Sequence, residues 1–315
     1  MSWFRLLKQH CEYEQVRIAM SIRHLFSKAV SKFTTEQVDR GSKIDSNPME
    51  LFCGNHSLVR SREDTRFHRD ALSACLGKKG LVLEIGPYFH PVVRGENVRY
   101  FDVFDSAELQ QRAAADPNPI VTPETVPKMD YFNRDGDISI ITEKFTDVVS
   151  SHCLEHQPDL IDHLEKVYDL LDEGGRYTAF VPDKRFCFDH FSPYSAVGDV
   201  LQAAAEKRRR HILASVVHLI AGGTHNEAAR HWKSDHADPE YHSAYAQRVV
   251  QALDIFRAAD GDYIDCHAWR FTPDYFAEIC SILFDLGHIR LRLTDIGDTR
   301  ENTQEFSAIF IKEAA

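Results

Sequence analysis

No stretch of this 315-residue chain approaches the roughly 18 consecutive apolar residues that a membrane-spanning helix needs. The N-terminus lacks the unbroken apolar core and small-residue cleavage site of a secretory signal, so a cytoplasmic setting is expected. The seven cysteines (Cys11, Cys53, Cys75, Cys153, Cys187, Cys266 and Cys280) are odd in number, scattered and never paired as CxxC. That spacing argues against a disulfide framework or cysteine-based zinc site and fits a reducing compartment. A cationic surplus is also missing: the formal net charge is −11, which argues against general nucleic-acid binding because displacing counterions from phosphates needs positive surface. There is no internal repeat, no low-complexity tract and no G-x-G-x-x-G, so the nicotinamide-dinucleotide fingerprint is absent. What the chain does have is a 43% hydrophobic composition, enough for a substantial core, and 17 histidines gathered towards its second half.

Hydrophobic periodicity divides the chain into three parts. Residues 1–60 read as a basic amphipathic helix followed by a polar linker; the helix carries Arg5, Lys8, Arg17, Arg23, Lys28 and Lys32 beside Trp3, Phe4, Leu7, Ile18, Ile22, Leu25 and Phe26. Such a helix packs on the main domain or a second subunit, or lies on an anionic membrane surface. Residues 61–183 and 270–315 alternate strand and helix patterns. Strands are expected at Leu81–Ile85, Val98–Asp102, Met129–Phe132, Thr146–Ser150 and Tyr177–Val181, with helices at Arg66–Leu76 and at Ser106–Ala115, capped by Ser106. Between the fourth and fifth strands an amphipathic helix stops at Gly174-Gly175. Thr272-Pro273-Asp274 is a hydroxyl–proline–acid helix start for a segment ending before Gly287. His288–Leu293 and Phe306–Ile311 follow as a closing hairpin. Residues 184–269 show helical patterning only, with candidates at Leu201–Ile220 and Ala244–Phe256. The expected class is α/β: a Rossmann-like, seven-stranded, mostly parallel sheet with a C-terminal antiparallel hairpin, an N-terminal helix, and a helical insert set as a lid over the strand ends where ligands bind.

Four segments, VLEIGP at 82–87, VRYFD at 98–102, DVVSSHCLEH at 147–156 and LLDEGGRYTAFVPDKRF at 170–186, resemble class I S-adenosylmethionine-dependent methyltransferases. The likeness is to bacterial members with LEIGP, SHxLEH, GGR…VPDKR and a late DxHxWxFTP, here Asp265-Cys266-His267-Ala268-Trp269-Arg270-Phe271-Thr272-Pro273. It runs from about Leu81 to Lys312. One departure stands out: after Glu84-Ile85-Gly86 come Pro87 and an aromatic stretch in place of further glycines, and only about a dozen residues separate the first two strands, so the helix between them must be short or absent.

The resemblance implies S-adenosylmethionine as cofactor and a site at the strand ends. Gly86 and Pro87 would form the loop against the methionine end, with Glu84 holding the ammonium group or organising that loop. Asp102 would accept the ribose hydroxyls, Asp135 and Gly136 would border the adenine, and Ser151 and His152 would lie beneath the sulfonium. Asp183 and His267 would face the acceptor, with His152 a further catalytic candidate and Asp265 orienting His267. Lys184, Arg185, His225, His231 and Trp269 complete the substrate side. The insert's histidines do not fall at the i, i+4 spacing of a helical metal pair, and no metal is expected. Lys207-Arg208-Arg209-Arg210 is a solvated face or a contact to an anionic acceptor. Proteins of this kind often accompany surface-polysaccharide machinery, which implies a small polar or glycan-type acceptor methylated on oxygen. The alternative is a non-catalytic binding or scaffold domain in which the glycine-poor loop has lost the cofactor.

Overall fold

The structure, a computed structural model, describes residues 58–116 and 118–314. The expected N-terminal helix, almost all of the linker, and Cys11 and Cys53 lie outside these residues. Among the described residues the sheet has eight strands: β1 (Val59–Arg60), β2 (Val82–Ile85), β3 (Val98–Asp102), β4 (Tyr131–Phe132), β5 (Phe145–Ser151), β6 (Leu171–Pro182), β7 (Arg292–Gly297) and β8 (Glu305–Ile311). Their spatial order is β1-β7-β8-β6-β5-β2-β3-β4. β8 runs antiparallel to both β6 and β7, and the remaining pairings are parallel. The eighth strand corrects the expected count of seven. It is β1, two residues at the end of the segment read as linker, which pair with Ile296 and Gly297 of β7; a run that short carries no readable alternation.

The central strands are buried on both faces, as parallel strands must be. Alternate residues feed two cores. Leu83, Ile85, Val148, Ala179 and Val181 pack with α3 (Leu160–Leu170) and α8 (Pro273–Asp285). Val82, Tyr100, Val149 and Phe180 pack on the opposite face with Leu72 of α1 (Arg69–Ser73) and Leu109 of α2 (Ser106–Ala115). α3 buries Leu160, His163, Leu164, Val167 and Leu170, a helical stripe, and starts where the Asp159 carboxylate accepts from Asp162 N. It ends ahead of Gly174-Gly175, which fall inside β6 with Gly174 at φ +73°. α2 is capped by Asp105 rather than Ser106. The hairpin's first strand begins at Arg292, four residues later than the alternation suggested.

Among the described residues no helix joins β2 to β3; residues 86–97 cross by turns alone. The segment after β6 forms α4 (Val197–Ala205), α5 (Leu213–Ile220), α6 (Ala228–His231) and α7 (Tyr245–Ala258). The single helix expected over Leu201–Ile220 is broken because Lys207 turns left-handed (φ +49°). Arg209 and Arg210 beyond it reach the sheet side, pairing with Asp162 at 3.1 Å and Asp135 at 3.3 Å. Among the described residues no helix is long and apolar enough to cross a membrane.

Candidate active site

Chain order reverses at β2. Its successors β3 and β4 extend one way, while β5, β6 and the hairpin extend the other. Ligands in open α/β sheets bind beyond the carboxyl ends of the strands at such a point. The residues that end these strands are Gly86 after β2, Asp102 of β3, Ser151 and His152 at β5, and Asp183 after β6. Ile85 pairs with Phe101 and Ser150, which sets Gly86 beside Asp102 on one side and Ser151 on the other.

Gly86 has φ +70° and donates its N–H to Phe101 O at 2.9 Å. A Cβ there would stand 3.4 Å from Cys153 Sγ. The left-handed backbone therefore calls for glycine, while a Cβ would only touch the Cys153 side chain at contact distance. The loop that follows is held from below. Glu84, buried, accepts from Val92 N at 2.7 Å and Val93 N at 3.2 Å, and Tyr100 OH donates to Val93 O at 2.7 Å. Burial pushes the Glu84 carboxyl up to about 7 against those two backbone bonds. Of its two implied roles, organising the loop is the one its hydrogen bonds perform. Pro87 opens that loop, in a turn closed by His90 N on Pro87 O.

Asp102 accepts from Phe104 N at 3.1 Å and is pushed up to about 6 by burial; an ionised carboxylate retains acceptor capacity beyond that one bond. Asp135 and Gly136 follow β4, with Asp135 paired to Arg210. Ser151 Oγ accepts from Arg69 Nη2 at 2.5 Å, and Arg69 also donates to both oxygens of Glu305. His152 takes φ +49°, a strained conformation for a non-glycine residue, and its Nε2 lies 2.9 Å from Glu305 Oε2. Burial would raise the Glu305 carboxyl, but Arg69 and His152 outweigh it and hold it at about 2.

Two motifs far apart in sequence meet here. Glu155 O accepts from Ala268 N at 2.8 Å and Trp269 N at 3.2 Å, and Trp269 Nε1 donates to Gln157 O at 2.7 Å. These bonds dock the DCHAW segment on SHCLEH and bring His267 to Glu155 and His156. Together they border a cavity of about 350 Å³ whose walls include His152, Glu155, His156, Asp265, His267 and Gln304; that is ample for a small ligand.

Several expected roles need correcting. His267 is oriented by Asp189, with Nδ1 2.5 Å from Asp189 Oδ2, whereas Asp265 pairs with His156 Nδ1 at 2.9 Å; that contact holds Asp265 down to about 2. Asp183 does not face the cavity. It is fully buried and accepts from the Arg185 backbone and guanidinium and from Thr299 Oγ1. Trp269 is a buried core side chain. Lys184 donates to His190 O at 2.8 Å and lies over the Tyr194 ring. Arg185 serves Asp183 and Asp298. His225 and His231 belong to a separate histidine stack: His231 Nδ1 is 3.1 Å from His236 Nδ1, His190 stacks on His236 at 3.7 Å, and His225 Nε2 faces Asp235 O. Asp189, Gln304 and Glu305 were missed. Each is a lone polar residue next to an unremarkable local pattern, and only the tertiary fold gives it a partner.

No family model matches the chain, and no curated protein matches it. Among solved structures it is similar to the CcbJ methyltransferase of Streptomyces caelestis (21% identity, TM-score 0.26, 38% of this chain and 52% of that one). It is also similar to S-adenosylmethionine-dependent methyltransferases of Methanosarcina mazei (14%, TM-score 0.36, 78% and 97%) and to magnesium protoporphyrin IX methyltransferase of Synechocystis PCC 6803 with bound SAH (12%, TM-score 0.35, 78% and 81%). The chain thus spans about half the length of CcbJ. Likenesses at this level assign neither activity nor substrate.

Proposed function

We propose that this chain is an S-adenosylmethionine-dependent methyltransferase that methylates a hydroxyl of a small polar or glycan-type acceptor. The observation that carries this reading is the pairing, at the reversal point of the sheet, of a left-handed Gly86 on one strand tip with Asp102 on the next. The residues fit the cofactor. Gly86, left-handed at φ +70°, lets the chain turn sharply off the β2 tip so that backbone would lie against the donor. Asp102 offers a carboxylate to a pair of ribose hydroxyls, the stronger, charge-assisted kind of bond. The Glu84-braced loop beginning at Pro87 takes the place of a glycine-rich one. Asp135 and Gly136 would border the adenine end, and Ser151 and His152 would lie under the methyl end. When bound, the cofactor supplies an electrophilic methyl carbon.

The protein's share of the work is alignment and proton management. Fixing an acceptor in the cavity in line with the donor is worth up to roughly 7–11 kcal/mol. The histidines on the cavity wall, each oriented by a carboxylate, are placed to deal with the acceptor's proton. The helices between β6 and α8 stand on the acceptor side, with Phe188 and Leu219 as apolar surface for a sugar or similar ring. Incubation with methyl-labelled donor and a panel of hydroxylated acceptors, followed by mass spectrometry, tests the proposal. A product heavier by one CH₂ unit supports it. No label transfer to the panel or to a cell extract, together with no donor binding, sinks it and leaves the scaffold reading.

A further inference from the structure

Glu155 is the most unusual side chain in the cavity. It is fully buried, and among the described residues neither carboxylate oxygen has a hydrogen-bond partner. A buried carboxylate in that condition is costly unless something positive compensates it. Around Oε1 stand three imidazole nitrogens, each 3.8 Å away: His152 Nδ1, His156 Nε2 and His267 Nε2. That is too long for a hydrogen bond. It is close to the spacing of donor atoms sharing one cation, roughly 3.3 Å apart in a tetrahedron of zinc ligands. The ligand atoms of Glu155, His156 and His267 all lie within 4.8 Å of one another.

The second nitrogen of each ring points the same way chemically. His152 Nε2 is on Glu305 at 2.9 Å, His156 Nδ1 on Asp265 at 2.9 Å, and His267 Nδ1 on Asp189 at 2.5 Å. The carboxylates hydrogen-bonded to His152 and His267 fix their tautomers and turn the other nitrogen's lone pair inward, the arrangement found around metal-ligating histidines, while Asp265 stands behind His156 as a charge partner.

We infer that Glu155, His156 and His267, with His152 beside them, bind one divalent transition-metal ion on the wall of the acceptor cavity. Two imidazole nitrogens and one carboxylate oxygen, with a third imidazole nearby, suit zinc and its first-row neighbours rather than magnesium or calcium, which prefer all-oxygen shells. The cavity side leaves a position for an acceptor oxygen. There the ion would lower the hydroxyl's pKa and fix its orientation, with His156 and His267 serving as ligands while it is bound. This use of the ion rests on the transferase reading; the site itself rests only on the geometry above. It replaces the expectation that no metal binds. That expectation considered the insert's histidines, whereas the set described here comes from SHCLEH and DCHAW. A second group, His190, His231 and His236, is also close-set. Both nitrogens of its buried member are already used: His231 Nδ1 by His236 and His231 Nε2 by His225 O; His190 Nδ1 is taken by Arg185 O.

The test is metal content by plasma mass spectrometry on the full-length protein, then titration of the chelator-treated protein with Zn²⁺ against a competing dye. One equivalent is expected, with affinity at least tenfold weaker in Glu155→Gln and His267→Ala, weakened about 10- to 100-fold in Asp189→Asn, and unchanged in His236→Ala. Circular dichroism checks that each variant is folded. If Glu155→Gln does not fold, Co²⁺ added to the wild type decides: visible absorption of a histidine–carboxylate site supports the inference, and the spectrum of hydrated cobalt overturns it. Absence of binding, or binding lost only in His236→Ala, also overturns it. Donor binding, measured on the same samples without metal, reports separately on the transferase reading.

Discussion

Asp102 shows how much a single buried carboxyl can control. Burial raises it to about 6, and the ionised form is the better acceptor for ribose hydroxyls. Donor affinity is therefore expected to be flat above that pH and to fall about tenfold per unit below it. Asp102→Asn should weaken binding roughly 10- to 100-fold, the worth of a hydrogen bond to a charged group, and abolish the pH dependence; calorimetric titration across the range checks both. Gly86→Ala is predicted to cost about 1–2 kcal/mol of stability through its left-handed backbone and to reduce donor affinity more than stability. Glu84 makes a different prediction. Its folded-state pKa of about 7 lies above its ordinary 4.5, so the native state holds that proton more tightly than the unfolded chain. Its stabilising contribution is full below about 4.5 and is lost as pH rises through about 7. Urea midpoints at about pH 5 and about pH 7.5 should differ less in Glu84→Gln than in the wild type. Gly86 and Asp102 were legible as strand-tip residues because Gly86 directly follows one strand pattern and Asp102 ends the next. The carboxylate behind His267 was not, because Asp189 lies 78 positions away and nothing local distinguishes it from Asp265.

Elements were most legible where burial and turn chemistry agreed. β3 and α2 fall on their expected residues, and α8 begins at the Thr272-Pro273 signal and stops short of Gly287. Edges were less legible. β1 is too short to show a pattern, and the start of β6 at Leu171 depends on pairing with Phe145 rather than on its own sequence. The break between α4 and α5 falls at the left-handed Lys207, which a helical pattern does not display, and Arg209 and Arg210 pair with Asp162 and Asp135 beyond it. Those pairs are exposed, and exposed ion pairs contribute about 0–1 kcal/mol. Arg209→Ala with Arg210→Ala should thus shift the melting temperature by only a few degrees. Docking of DCHAW on SHCLEH is a stronger joint. Trp269→Phe keeps the ring in the core but leaves Gln157 O without its indole donor, and about 1–3 kcal/mol of stability should be lost in chemical denaturation.

For the whole molecule, the strand order turns scattered motifs into one place. Residues from 84 to 305 gather at one edge of the sheet because β5 returns beside β2 and β8 inserts between β6 and β7. That order depends on long-range pairing, which periodicity cannot encode; alternating strand and helix patterns gave the parallel class, and the alternation at 288–293 and 306–311 gave the hairpin. The formal charge of −11 still argues against a nucleic-acid acceptor and leaves small hydroxylated molecules as the partners to try. Isothermal titration of the full-length protein with S-adenosylmethionine, alongside Asp102→Ala, is the most direct measurement. Saturable one-to-one binding in the wild type, at least tenfold weaker in the variant, is expected of a donor seated between Gly86 and Asp102. No heat of binding in either protein, or equal affinity in both, would mean that the strand tips hold something else.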